Sequence, residues 1–237
     1  MSETTAPPAS SPGTPPASAP RIALRTAVIM LTFTLVFTAL MAGVYQLTQP
    51  VLQATAADAK RRLIAEVLPP SAYDNDLLAD ALDLPPIVEL GTTEITRLYR
   101  ARKNGEPAAL VFEAAAPDGY SGRIGLILAV RADGRLAAVR VTQHKETPGL
   151  GDYIDPKKDK NKATPWIAQF SGRSLIDPPA AKWRVKKDGG VFDQRAGATI
   201  SARAVTHATA RALSWATAHA DGLYALPAGT TYQENGQ

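Results

Sequence analysis

A run without a single charged side chain, from Thr26 to Ala57, constrains this chain more than any other feature. Its centre, Ala27–Gln46, reads AVIMLTFTLVFTALMAGVYQ. At about 1.5 Å rise per residue, about 20 helical residues cover the hydrocarbon thickness of a bilayer. The spacing predicts one membrane-spanning helix over residues 21–48, with the lipid bilayer as its first partner. Thr32, Thr34 and Thr38 fit there, because a threonine hydroxyl can bond a carbonyl one turn back. Tyr45 suits the water interface, and Pro50 is expected to end the helix. A cleaved signal peptide is the competing reading. The run outlasts the usual apolar region of about 7–15 residues, although an Ala-x-Ala pattern does stand at Ala54–Ala56.

Arg21 and Arg25 favour a cytoplasmic N-terminus and place the main domain on the other side. Lys60, Arg61 and Arg62 blunt that asymmetry. Residues 1–20, rich in Pro, Ala and Ser, have almost nothing large to bury and are expected to be disordered.

The next stretch, 49–90, reads as an amphipathic helix and a connecting loop. Leu52, Ala56, Leu63, Ile64 and Val67 supply the apolar face of the helix, and Pro69 and Pro70 stop it. Residues 93–143 look like a β-meander. Ile95–Arg102 and Ala108–Ala115 flank Asn104-Gly105, while Ile124–Arg131 and Leu136–Thr142 flank Asp133-Gly134. Such dipeptides between β-branched runs mark tight hairpins. A short helix is expected over 163–170 and a final one over 202–219, with Ser201 as its N-cap. The fold class that follows is α+β: an N-terminal transmembrane helix, then an extracytoplasmic domain with a mainly antiparallel sheet and flanking helices. That domain is set at 91–223, with 224–237 as a tail.

The chain contains no cysteine, which excludes disulfides, thiolate zinc sites and cysteine-held iron–sulfur clusters within it. The formal net charge of +4 is modest. No zinc-finger spacing or RNA-binding aromatic signature accompanies it, so nucleic acid is not an expected partner. Lys157, Lys158, Lys160 and Lys162 read as a solvated loop, and Asp152, Asp155 and Asp159 as surface charges rather than a metal site. Trp166, Trp183 and Trp215 are expected in the core. With three histidines and no nucleophile elbow, neither a helical zinc site nor a Ser/His/Asp catalytic group is expected.

Three short stretches carry the chemistry. They are PDGYSG at Pro117–Gly122, HKETPGLGD at His144–Asp152, and DQRAGATIS at Asp193–Ser201. The second offers a glycine-containing loop where backbone can approach a ligand, but it is not a dinucleotide fingerprint. The third places small residues and two hydroxyls before the last helix. Taken alone, Thr199 is a helix-entry hydroxyl.

Together and in this order, the three stretches resemble those of the G subunit of the Rnf-type ion-translocating electron-transport complex. ETPGLGD at Glu146–Asp152 and GAT at Gly197–Thr199 are the most specific. The C subunit of the sodium-translocating NADH:quinone reductase shares the plan and is the nearest alternative; an unflavinylated assembly protein of the complex is another. The resemblance implies FMN joined by a phosphodiester to Thr199. It implies a FAD:protein FMN transferase that recognises Asp193, and partner subunits passing electrons, expected between ferredoxin and NAD, while ions cross the membrane. Ala196 stands where the family's acceptor pattern commonly has Ser or Thr. The flavin contacts implied are Gly197, Ala198, Ser201, Tyr120, Ser121, Glu146, Thr147, Gly149 and Leu150. Arg195 or Arg203 could add a charge-assisted bond to the phosphate, although a solvated surface is the plainer role for each. No independent catalytic residue and no metal are expected.

Overall fold

The computed structural model describes residues 19–233, so the Pro-rich start and residues 234–237 lie outside the described residues. The described residues divide into two compact units, with the boundary between Ala56 and Ala57. Helix α1 is assigned over Ala19–Ala65. Its segment Pro20–Gln49 is long and apolar enough to cross a membrane, and none of its most apolar window is buried in the protein. The hydroxyls of Thr32 and Thr34 donate to the carbonyls of Val28 and Met30, each at 2.8 Å, as their place in an apolar helix requires. Pro50 does not end the helix. Proline forfeits one backbone bond there, and the turns on either side keep the helical path.

In the second unit, five strands among the described residues form one antiparallel sheet in chain order. They are β1 (Ala81–Leu84), β2 (Thr96–Lys103), β3 (Glu106–Gly119), β4 (Gly122–Arg131) and β5 (Leu136–Gln143). The two tight turns fall where the dipeptides stand, with Asn104 and Gly105 both at positive φ and Gly134 at φ 76°. The strand β1 lies in the stretch expected to be a connection. Its four residues are too few to declare a period, and pairing with β2 makes it a strand.

Alternation along β3 divides its residues between two cores. Leu110, Phe112, Ala114 and Ala116 face helix α2 (Thr199–Ala225), whose Ala202, Val205, Ala208, Ala212 and Ala216 let it approach the sheet closely. Ala109 and Val111 face Ile64, Val67 and Leu68. Trp166, Trp183 and Trp215 are buried, and Trp166 and Trp183 join Tyr153, Phe170 and Phe192 in an aromatic layer between sheet and loops. Trp166–Phe170 is a short 3-10 turn within the segment expected to be helical.

Helix α2 starts three residues before and ends six residues after the expected span 202–219. Its far end is held by Arg100 of β2, which is 2% exposed. The guanidinium donates to the carbonyls of Leu223 (3.0 Å) and Leu226 and, through Nε, to Asp80 at 2.7 Å. Arg102 adds a bond to Tyr224 O at 3.1 Å and another to Asp80 at 2.9 Å. Beyond the helix, Thr231 bridges Asp83 and Tyr232 packs edge-on against Trp215.

Replacing Arg100 by Ala leaves helix-end carbonyls and a share of Asp80 unpaired. A loss of about 3 kcal/mol is expected, because removing one partner strands the other. Arg100→Lys should recover only part, since one ammonium cannot serve carbonyls and carboxylate together. Thermal and denaturant unfolding of the full chain in detergent measures both.

Candidate functional site

Helix α2 begins abruptly. Gly197 takes φ +82°, Ala198 is the N-cap, and Thr199 is the first helical residue. No side chain caps this end and the first turn has no acidic residue. Ser201 is therefore not the N-cap. Three long-range bonds set the start instead. The Tyr153 hydroxyl donates to Ala198 O and accepts from Arg195 N–H, both at 3.2 Å. The Ser201 hydroxyl, in the first turn, turns to Glu146 Oε2 at 2.5 Å.

The segment before Thr199 is tied down at each step. Asp193 N–H donates to Gln169 Oε1 at 2.7 Å, and the Trp166 indole donates to Asp193 O at 2.5 Å. The Asp193 carboxylate stays exposed and pairs with Lys186. Arg195 stacks on the Tyr153 ring at 4.5 Å and pairs with Asp159, which is fully buried. Asp159 is thus an internal anchor rather than a surface charge; it also accepts the N–H groups of Trp166 (2.7 Å) and Asn161 (2.9 Å). Burial pushes its pKa up, but these two N–H groups and Arg195 outweigh that and hold it below the ordinary carboxylate value. Burial raises the Tyr153 phenol, with Arg195 opposing. Arg203 forms a two-bond pair with Asp188 at 2.6 and 2.9 Å, which holds the Asp188 carboxyl low. Both arginines considered for a phosphate, or for plain solvation, are engaged in ion pairs.

The loop from His144 to Asp152 folds against this helix start. Leu150 and Gly151 N–H groups return to Thr147 O at 3.1 and 3.0 Å. Gly149, at φ +75°, donates to Asp152 Oδ1 at 2.9 Å. The turn between β3 and β4 closes the third side, where Ser121 N–H donates to Glu146 Oε1 at 3.1 Å.

An open depression results. Of the residues read from sequence, Tyr120, Glu146, Thr147, Leu150, Gly197, Ala198 and Ser201 line it. Ser121 and Gly149 support it through backbone bonds. Half-buried Thr199 stands between lining residues Ala198 and Ile200. Gly151 and Ile200 line it as well and were missed. Both sit inside the motifs already singled out, so their position in those motifs was the available signal. Tyr153 and Asp159, which build the site from outside, left none. Tyr120, Leu150 and Ile200 are 66%, 46% and 44% exposed, so three large apolar side chains ring the mouth. Among the described residues, no group of acidic and histidine side chains is arranged to hold a metal ion.

A helix start free of carboxylates in its first turn, beside an apolar-rimmed depression, suits a planar ligand with an anionic tail. The FMN-binding domain family matches residues 119–214, and the RnfG N-terminal region matches residues 18–67. The chain is 46% identical over 173 residues to the G subunit of the ion-translocating oxidoreductase complex of Pseudomonas aeruginosa, covering 73% of this chain and 78% of that one. It is 43% identical over 175 residues to the protein of the same name from Photorhabdus laumondii, covering 74% and 81%. Against the G subunit from Vibrio atlanticus the identity is 36% over 199 residues, covering 84% and 92%. The chain belongs to the family of G subunits of ion-translocating oxidoreductase complexes.

The Asp159 network carries a pH signature. A carboxyl whose folded pKa is depressed contributes stability above its unfolded value of about 4, and that contribution fades as pH falls through the folded value. Asp159→Asn should be about 1–3 kcal/mol less stable at pH 7. Its deficit against the unsubstituted chain should shrink below about pH 4, because only the carboxylate loses stability on protonation there. Melting curves across pH 2.5–7 (about ten points) check the convergence.

Proposed function

We propose that Thr199 carries FMN through a phosphodiester, and that the chain relays electrons within a membrane complex that moves ions. The observation that carries this is the position of Thr199. Its hydroxyl stands on the first residue of a helix without acidic groups in its first turn, at the edge of a depression rimmed by Tyr120, Leu150 and Ile200. The N–H groups of the first turn suit the single negative charge of a phosphodiester, by about 0.3–1 kcal/mol if exposed and more if partly buried. The apolar rim suits an aromatic ring system, and Thr147 and nearby backbone groups offer it hydrogen bonds. A flavin supplies one- or two-electron chemistry, which lets a relay connect unlike carriers. The chain's own part is to hold and shield that group.

Attachment needs a second protein. A threonine hydroxyl is too weak a nucleophile to open a pyrophosphate unaided. A FAD:protein FMN transferase would remove its proton; the new Oγ–P bond replaces the P–O–P link of FAD, and AMP leaves. Asp193, exposed six residues before Thr199, is available for that enzyme to read. The arginine pair expected to help the phosphate is not part of this reading, since both are committed elsewhere.

The span Pro20–Gln49 anchors the chain in a bacterial inner membrane, with the N-terminus cytoplasmic and residues 57–237 outside. The remaining members of the complex are the electron partners, with ferredoxin and NAD at the ends of the route. Named relatives belong to ion-translocating oxidoreductase complexes, and that supports the assignment.

Co-expression with such a transferase should give a fluorescent band on a denaturing gel and an intact mass raised by one FMN less one water. Thr199→Ala should be dark and unshifted. A dark wild type of unmodified mass, or a fluorescent Thr199→Ala, overturns the reading.

A further inference from the structure

The carboxylate of Glu146 is 3% exposed, yet it lines the depression beside Thr199. Among the described residues, none of the ion pairs includes it. A buried carboxylate without a cation is costly unless hydrogen bonds hold it. Two are present, from Ser121 N–H and from the Ser201 hydroxyl in the first turn of α2. Space around it is cut to fit. A Cβ on Gly119 would come within 2.9 Å of Glu146 Oε1, and one on Gly151 within 2.9 Å of Oε2. Three separate segments therefore close on one charge: the β3–β4 turn, the loop 144–152 and the start of α2.

We propose that Glu146 is a positioning residue that also sets how readily the bound flavin accepts electrons. The proposal rests on Thr199 being the FMN carrier. Its positioning part is the joining of the three segments that form the depression. Its electrostatic part is a fixed negative charge in the wall. Two electrons and one proton convert an oxidised flavin to an anion, so a neighbouring carboxylate opposes the gain of charge and lowers the potential. The Ser201 hydroxyl, pointing its dipole at Oε2, offsets part of that charge. Among the described residues no Lys or Arg side chain pairs with Glu146, so the field reaches the depression without a bound counter-ion. The carboxylate itself is buried, so water screens it less than it would a surface charge.

The test is an anaerobic spectroelectrochemical titration of the full flavinylated chain in detergent at fixed pH, with melting temperature recorded beside it. Glu146→Gln keeps the shape and removes the charge; the midpoint potential of its flavinylated fraction, identified by gel fluorescence, should move positive. Ser201→Ala keeps the charge and removes its donor; the potential should move negative. A purely structural residue predicts no such pair of opposite shifts. Equal potentials in all three proteins, or shifts of the same sign, overturn the proposal. Should Glu146→Gln not fold, Ser201→Ala decides alone, a negative shift supporting the proposal and an unchanged potential overturning it. A dark wild-type band removes the Thr199 reading and this proposal with it; a fluorescent wild type with unshifted variants removes only this one.

Discussion

Helix α2 is gripped at both ends by charges that it does not itself supply. At the C-terminus, where the peptide dipoles leave negative character, Arg100 and Arg102 reach across from β2 to its last carbonyls. At the N-terminus, where the character is positive, the Glu146 carboxylate takes the Ser201 hydroxyl. Each sign matches its end of the dipole. The partly buried geometry puts each contact toward the upper part of a range of about 0.3–2 kcal/mol. Between the grips, the alanine face of α2 packs on β3 and β4. The helix then has little freedom to slide, and the location of its first residue, Thr199, follows from the packing of the whole domain.

That constraint gives the segment before Thr199 its form. Residues 193–198 connect the aromatic layer to a helix start that is already fixed, and they are held by Gln169, Trp166, Asp159 and Tyr153 in turn. The short, bonded approach to Thr199 leaves the side chain at one place beside the depression. A cofactor tethered at Thr199, as proposed, would gain from such a base, because electron transfer needs a set distance and a tether prevents loss. The costs of the arrangement are visible too: a buried carboxylate paired to half-buried Arg195 at Asp159, and a buried carboxylate without a counter-ion at Glu146.

Features written in neighbouring residues were legible. The charge-free run, the Asn104-Gly105 and Asp133-Gly134 turns and the alternating strands all express a local period or a local backbone need, and the structure has each of them. The readings that failed depended on partners far along the chain. Ser201 has the residue type of an N-cap, but its hydroxyl is claimed by a carboxylate 55 positions earlier. Asp159 sits among lysines and looks solvated, yet a stacked arginine 36 positions later takes it inside. Arg195 and Arg203 looked available for the same reason. Of the depression's lining, the motif residues were found through resemblance; Gly151 and Ile200 joined it only when three loops met.

The charge balance at the helix start also says where an anionic ligand can enter. Glu146 already places one negative charge against the first turn, on the buried side, through Ser201. Asp159 and Asp188 have taken the two nearby arginines, so no free guanidinium remains in the Asp193–Arg203 segment to neutralise a second anion. A phosphodiester at Thr199, as proposed, would rely on the N–H groups of the helix and on water. Ala196 and Gly197, just ahead of it, are exposed, which leaves the solvent side open to screen the charge. The apolar rim of Tyr120, Leu150 and Ile200 would then remain for the ring system of the proposed flavin. Separation of Glu146, buried and hydrogen-bonded, from a hydrated phosphodiester would let both occupy one helix end without either displacing the other.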